Sequence, residues 1–293
     1  RDQPRSRGLG DVYKRQLFIC SLKSGGNMNP MLNIAIRAAR KAGNVIAKNY
    51  ERRDDIQTSK KGINDYVTSV DKAAEAEIIE IIQKSYPDHT IISEERGALE
   101  GKDSDIQWVI DPLDGTTNFV KGLPHFSVSI AIRVKNRTEV GVVYDPIRNE
   151  LFTAVRGEGA KLNEVRLRVD SQNELKGAIL ATGFPFKQPS LMPTQFAIMN
   201  NLIDEAADFR RTGSAALDLC YVASGRVDGY FEMGLKPWDC AAGDLIVREA
   251  GGLVCDFNAG HSYLRSGNIV AAPARILKEM LNKIQPCLTE QVK

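Results

Sequence analysis

A layered α+β fold is what this 293-residue sequence predicts, on three observations. Helix-period and strand-period segments arrive in blocks, neither in strict βαβα alternation nor as repeats. The middle of the chain holds a run of adjacent apolar strands, and the second half mixes helices with short strands. The composition, 43% hydrophobic and 26% charged, is that of an ordinary globular protein with enough apolar residues for a large core.

In chain order, Pro30 suits a first helical turn, and Leu32, Ile34, Ile36, Ala39, Val45 and Ile46 supply an apolar face as far as about Tyr50. A polar, charged loop is expected from there through Asn64, and the run "SKKG" reads as solvated loop. Asp71 to Tyr86 forms a second helix with Ala74, Ile78, Ile79, Ile81 and Ile82 on its buried side, and Pro87 ends it. The period then changes to two. Residues 127–135, 138–145 and 150–155 read as strands of an antiparallel meander, and "RGEGAKLN" as a hairpin. "AILATGF" is extended. Helices are expected near Thr194 to Ala207, in "SAALDLCYVASG", in "DCAAGDLIVREAGG" and after Pro273, with strands in "VDGYFEM" and "GLVCDF". No Pro/Ser-rich linker interrupts residues 28–293, so these are expected to form one domain of two intimate halves, about 28–172 and 173–293.

Residues 1–27 differ from all that follows: they lack helical periodicity, and their one apolar cluster, "LFICSL", is too short for a signal-peptide core. They are read as a non-native or disordered extension, with Met28 as the expected start. Six basic residues against two acidic give this stretch a net +4 within a chain of +2, so the rest carries −2. The basic pI therefore belongs to the prefix and does not point to direct nucleic-acid binding by the body. No apolar run approaches the roughly 18 residues of a membrane span. The five widely spaced cysteines suit buried thiols in a reducing compartment, which predicts a cytoplasmic protein.

The chemistry concentrates in acids that follow apolar runs. In "WVIDPLDGTTNF", Asp111 and Asp114 repel each other unless a cation or water separates them. Alone, the pair is explained by two turns, one at Pro112 and one at Gly115. Further acids change that reading: Glu94 and Glu95 directly after the strand-like "TII", Asp239 at the start of an apolar helix, and Asp71 at another helix start with Thr68 three residues before it. The last two are also explicable as helix caps. Four acidic clusters at element ends are what hard divalent cations need, and Mg²⁺ is the natural occupant. With three histidines and no paired-cysteine motif, zinc has little to bind to. "DGTTNF" can begin a helix with free N–H groups, Gly115 permits close approach, and Thr116 brings a hydroxyl, a combination suited to a phosphate ester.

"EE" at 94–95, "WVIDPLDGTTNFVKGLPHFSVSIA" at 108–131 and "FEMGLKPWDCAAGDLIVREAGG" at 231–252 resemble the lithium-sensitive inositol monophosphatase family. "NDYVTSVDKAAEAEII" and "ATGFPFK" point to its bacterial branch. The resemblance runs from about Met28 to the C-terminus. It implies an αβαβα sandwich of the sugar-phosphatase type, Mg²⁺-dependent hydrolysis of phosphate monoesters with two or three ions per site, Li⁺ inhibition and a homodimer. Glu94, Asp111 and the carbonyl of Leu113 match ligands of one metal, and Asp111, Asp114 and Asp239 those of a second; Glu94 also matches the ligand of a weaker third. Gly115 and Thr116 match phosphate-binding and water-orienting positions, Asp71 the acid that pairs with the threonine, and Glu95 a neighbour of the metals. Gly213, Ser214, Ala215 and Glu232 match contacts to the inositol ring. Ser93 and Arg96, which flank the two glutamates, depart from the family's usual small residues. Inositol 1-phosphate is the favoured substrate, although relatives that act on fructose 1,6-bisphosphate, histidinol phosphate or adenosine bisphosphate share the metal motif. The bacterial branch is also associated with transcription antitermination alongside Nus factors, NusA among them, and RNA polymerase.

Other phosphatase chemistries fit less well. Cys220 to Arg226 matches C-x5-R, but inside an apolar helical run; a phosphoaspartate enzyme would want D-x-D where "DPLD" has an extra residue; and no P-loop is present. His125 and Trp238 read as structural.

Overall fold

The computed structural model describes residues 29–52, 58–62, 65–170, 172 and 174–289. The extension expected at residues 1–27 lies outside them. Helix α1 (Pro30–Tyr50) starts where the Asn29 side chain accepts from Met31 N at 3.0 Å, and it buries Leu32, Ala35, Ala39, Ala42 and Ile46. The stretch expected to be loop through Asn64 contains β1 (Thr58–Gly62), which pairs antiparallel with β2 (Asp65–Thr68) just beyond it. "SKKG" therefore lies in a strand, and polar composition concealed it because no apolar alternation marks it. Helix α2 (Ser69–Ser85) opens with a capping box between Thr68 and Asp71 and buries Val70, Ala74, Ile78, Ile79 and Ile82.

Strands β3 (His89–Ser93), β4 (Gly97–Leu99), β5 (Asp103–Asp114), β6 (Ser127–Val134), β7 (Arg137–Asp145), β8 (Glu150–Val155), β9 (Gly159–Leu162) and β10 (Val165–Arg166) form one sheet ordered β10-β9-β8-β7-β6-β5-β3-β4. In this sheet, among the described residues, β3 and β5 pair in parallel and the other neighbours antiparallel. Between β5 and β6 stands the short helix α3 (Thr116–Lys121). The second sheet has β11 (Ile179–Thr182), β12 (Asp208–Arg210), β13 (Gly229–Glu232), β14 (Leu253–Cys255) and β15 (Ile269–Ala272) in the order β12-β11-β13-β15-β14. Its helices are α4 (Met192–Ile203), α5 (Ala215–Ala223), α6 (Pro237–Glu249), α7 (Tyr263–Ser266) and α8 (Ala274–Ile284). Strand β15 was not foreseen, because its four buried residues alternate nothing and are too few to give a period.

Three apolar clusters make five layers. Helices α1 and α2 cover one face of the large sheet through Ile46, Ile78 and Ile82 against Trp108, Ile110, Val128 and Ile130. Helices α5 and α6 fill the middle, where Leu219, Ala242 and Leu245 meet Val109, Ala131 and Val143 of the large sheet and Tyr230 and Ala271 of the small one. Helices α4 and α8 cover the far face with Ile198, Leu202, Ile276 and Met280. This is the expected αβαβα sandwich. Along β5 the alternation sends Trp108 and Ile110 to the outer core and Val109 to the middle one; Asp111, two residues on, shares the middle face. Helix α6 can lie close to β7 because of Gly141: a Cβ there would stand 2.7 Å from the Ala242 carbonyl oxygen. No helix among the described residues is long and apolar enough to cross a membrane.

Candidate active site

The end of β5 carries the acids into the space between the sheets. Asp111 is 2% exposed, and its Oδ1 accepts from Leu113 N at 3.0 Å, a turn that gives the strand its irregular register between Asp111 and Asp114. Asp114 Oδ2 accepts from Ser214 Oγ at 2.6 Å and Ala216 N at 2.9 Å, so the first turn of α5 grips it. Gly115 follows with φ +95°, in the left-handed region, and a Cβ there would lie 3.1 and 3.2 Å from the carbonyl oxygens of His125 and Gly213. Both the dihedral and the crowding require glycine. Thr116 Oγ1 lies 2.9 Å from Asp71 Oδ1 and 3.0 Å from the Leu113 carbonyl oxygen.

Asp71 is buried beneath this turn, its Oδ2 held by Thr68 N at 2.9 Å and Thr68 Oγ1 at 2.5 Å. It serves both as the helix partner expected of it and as the anchor of Thr116. Asp239 falls in the first turn of α6 and not at its cap, because the helix begins at Pro237; its Oδ2 accepts from Lys236 N at 2.6 Å. Glu94 follows β3 directly, with its N–H donating to Ile110 O at 3.2 Å, which sets it alongside β5.

Two clefts open here. The larger, about 630 Å³, is lined by Glu94, Asp111, Leu113, Asp114, Gly115, Thr116 and Asp239. The smaller, about 180 Å³, is lined by Gly213, Ser214, Ala215 and Glu232, and it shares Asp114, Gly213 and Asp239 with the first. The residues matched to metal and phosphate thus line one chamber and those matched to the sugar line the adjoining one. Asp71 and Glu95 line neither. Among the described residues no three Asp, Glu, His or Cys side chains close around a single point that could hold an ion; Glu94, Asp111, Asp114 and Asp239 line the larger cleft together.

Electrostatics follow from that crowding. Asp111 is pushed well above the ordinary carboxylate range, first by burial and then by the charges of Glu94, Asp114 and Asp239. Burial likewise raises Asp239, with Asp114 repelling it, and raises Asp71. Burial lifts Asp114 to about 6 against the hydrogen bonds of Ser214 and Ala216, and lifts Glu232 to about 7 although Tyr230 OH donates to it at 2.6 Å. Desolvated, mutually repelling carboxylates and a main-chain carbonyl are hard oxygen donors, and they suit Mg²⁺ better than a softer ion.

Four features were not foreseen. Glu75, one turn after Asp71 on α2, is fully buried and accepts from Ser93 Oγ. Asp218 is buried on α5, accepts from Thr212 Oγ1 at 2.6 Å and lines the smaller cleft. An acid within an apolar helical face was the available signal for both. Ser214 caps α5 and holds Asp114, so its buried hydroxyl is already committed. Phe186, Lys187 and Arg211 line both clefts, with the Arg211 guanidinium 5.8 Å from the Phe186 ring centre. Cys220 is fully buried in α5 and burial drives its thiol well above the ordinary range, so it offers no thiolate nucleophile. His125 is held low, to about 4, by burial, and its carbonyl accepts from Asn118 at 2.7 Å. Trp238 packs on the middle core, and its carbonyl accepts from Ser129 Oγ at 3.2 Å.

The model of the inositol monophosphatase family matches residues 27–290. The Nus factor SuhB of Haemophilus influenzae is 85% identical over 261 residues, 89% of this chain and 98% of that protein. The crystal structure of the extragenic suppressor protein suhB from Bartonella henselae superposes with a TM-score of 0.86 at 40% identity, covering 88% of this chain and 99% of that one. The inositol monophosphatase of Anabaena (Nostoc) sp. superposes at 0.79 with 37% identity, covering 89% and 97%.

Proposed function

The chain belongs to the inositol monophosphatase family, a family of metal-dependent phosphatases, and from that premise we propose that it hydrolyses inositol 1-phosphate to inositol and phosphate. Mg²⁺ is the proposed cofactor, at two or three ions per site, with Li⁺ as inhibitor and a cytoplasmic homodimer as the working form. The observation that carries the reading is the pair of joined clefts: a chamber of acids and Thr116 opening, past Asp114 and Asp239, into one that holds Glu232.

Glu94, Asp111 and Leu113 O would hold one ion, Asp111, Asp114 and Asp239 a second, and Glu94 a third. When bound, Mg²⁺ supplies a Lewis acid that neutralises phosphoryl oxygens, activates water and stabilises the leaving alkoxide. The residues do the positioning. Thr116, turned to Asp71, keeps lone pairs on Oγ1 to accept a hydrogen bond from the attacking water and so orient it. Gly115 leaves room for the phosphate beside the backbone. Glu232 spends one oxygen on Tyr230 and keeps the other for hydroxyls of the alcohol. Glu95 neighbours the metal ligands.

A phosphate-release assay with inositol 1-phosphate, fructose 1,6-bisphosphate and histidinol phosphate, with and without Li⁺, tests the assignment. Asp111→Asn should abolish Mg²⁺-dependent turnover with an unchanged circular dichroism spectrum, and Glu232→Gln should alter the preference among alcohols more than the rate of any one. Near-normal turnover by Asp111→Asn would sink the site. A second reading is favoured by the name of the Haemophilus influenzae relative, a Nus factor: we propose that this chain also acts with NusA and RNA polymerase in antitermination. Capture of both by the Asp111→Asn protein supports it, and capture of neither refutes it.

A further inference from the structure

Among the described residues, one short segment supplies every polar partner of the Glu75 carboxyl group. Its side chain is fully buried on α2, where an isolated carboxylate costs several kcal/mol. Oε1 accepts from Ser93 Oγ, from Glu95 N at 3.2 Å and from Arg96 N at 3.1 Å. Oε2 lies 3.1 Å from Arg96 Nε in an ion pair and, among the described residues, makes no hydrogen bond. The three donors and the ion-pair partner all belong to residues 93–96. The conformation of that turn and the burial of the Glu75 charge therefore depend on each other.

Glu94 sits inside the turn. Its neighbours on both sides are tied to Glu75, and its own N–H is tied to Ile110 O on β5. Helix α2 also carries Asp71, one turn earlier and on the same face. One helix thus fixes both the anchor of Thr116 and the turn that presents Glu94. Ser93 and Arg96, the two departures from the family's usual residues beside the glutamate pair, are both partners of this one carboxylate.

We propose that Glu75 is a positioning residue, which with Ser93 and Arg96 sets the distance of Glu94 from Asp111 and thereby the affinity of the site for its divalent cation. The proposal rests on the assignment of Glu94 as a metal ligand. Residues that orient ligands without touching the ion typically change affinity by about 10- to 100-fold. Mn²⁺ binding to the metal-free full chain, followed by electron paramagnetic resonance, reads the effect without turnover. Glu75→Gln keeps shape and one acceptor but loses the charge, and it should weaken Mn²⁺ binding by about 10-fold or more. It should raise the Mg²⁺ concentration for half-maximal activity by a similar factor, with kcat at saturating Mg²⁺ within a few-fold of normal. Arg96→Ala should shift both in the same direction, and Arg96→Lys should restore them in part. Should Glu75→Gln fail to fold, Ser93→Ala removes one donor and should give a smaller shift of the same sign. Unchanged Mn²⁺ affinity in Glu75→Gln, or in Ser93→Ala if that is the variant that folds, overturns the proposal. Asp111→Asn measured alongside separates the two ideas: loss of binding there with none in Glu75→Gln defeats Glu75 alone, whereas no loss in either defeats the metal site itself.

Discussion

The Thr116 hydroxyl lies 2.9 Å from Asp71 Oδ1 and 3.0 Å from the Leu113 carbonyl oxygen. With one hydrogen, it donates to one of them at a time. An ion on the Leu113 carbonyl would use that oxygen and favour the Asp71 direction, which frees the lone pairs of Oγ1 toward the larger cleft. Bond choice and ion binding would thereby be coupled.

Thr116→Ala should therefore lower kcat by about 10²-fold, the scale for loss of correct positioning of a reacting group, with little change in KM. Thr116→Ser should retain most of the rate. Asp71→Asn should fall as far in kcat and also lose about 1 kcal/mol of stability through its broken capping box. Steady-state kinetics with urea unfolding would separate the two effects. If the double variant is slower by the product of the single losses, the residues act independently and the pair is not a unit.

The metal-free site has a definite pH signature. Asp114 is raised from 3.8 to about 6 and Glu232 from 4.5 to about 7, in both cases first by burial. A raised folded-state value means that the folded chain holds protons which the unfolded chain has released. The stability these groups contribute is present below about pH 4 and is lost as pH rises through about 6 to 7. Metal-free protein in a chelator should thus unfold at lower urea near pH 8 than near pH 5. Mg²⁺ should stabilise more at the higher pH, where the carboxylates are ionised. Metal-free stability that climbed across this window would contradict the desolvated cluster.

How much was legible before the structure depends on the range of the interactions. Thr68 and Asp71 are three residues apart, so their capping box could be read from spacing. The turn from Asp111 to Thr116 likewise carries its chemistry within six residues, and the α1, α2 and meander periods are local. Glu75 could not be placed, because its partners lie 18 and more positions away and an isolated acid in an Ala/Ile face has no local meaning. Hairpin β1–β2 lacks apolar alternation, and β15 is buried on both faces. Arg211 and Phe186 reach the clefts by the fold of the small sheet, which no spacing encodes. Asp239 was suspected from its motif, yet its approach to Asp114 depends on how α6 docks.

That docking yields the last prediction. Gly141 on β7 leaves no space for a side chain, since a Cβ would press on the Ala242 carbonyl oxygen at 2.7 Å and on backbone carbons at 3.3 Å. Backbone cannot rotate away as a side chain can, so Gly141→Ala must lift α6 from the sheet, and Asp239 stands three residues before Ala242. About 1 to 3 kcal/mol of stability should be lost, together with Mg²⁺ affinity. Gly43→Ala supplies the contrast: its Cβ would meet the Tyr144 ring at 2.5 Å, on the outer face where α1 packs, far from Asp239. It should cost stability without weakening metal binding. Thermal unfolding paired with Mn²⁺ titration of both variants checks the difference. Equal loss of Mn²⁺ affinity in the two would show that general loosening, and not the seat of α6, controls the site.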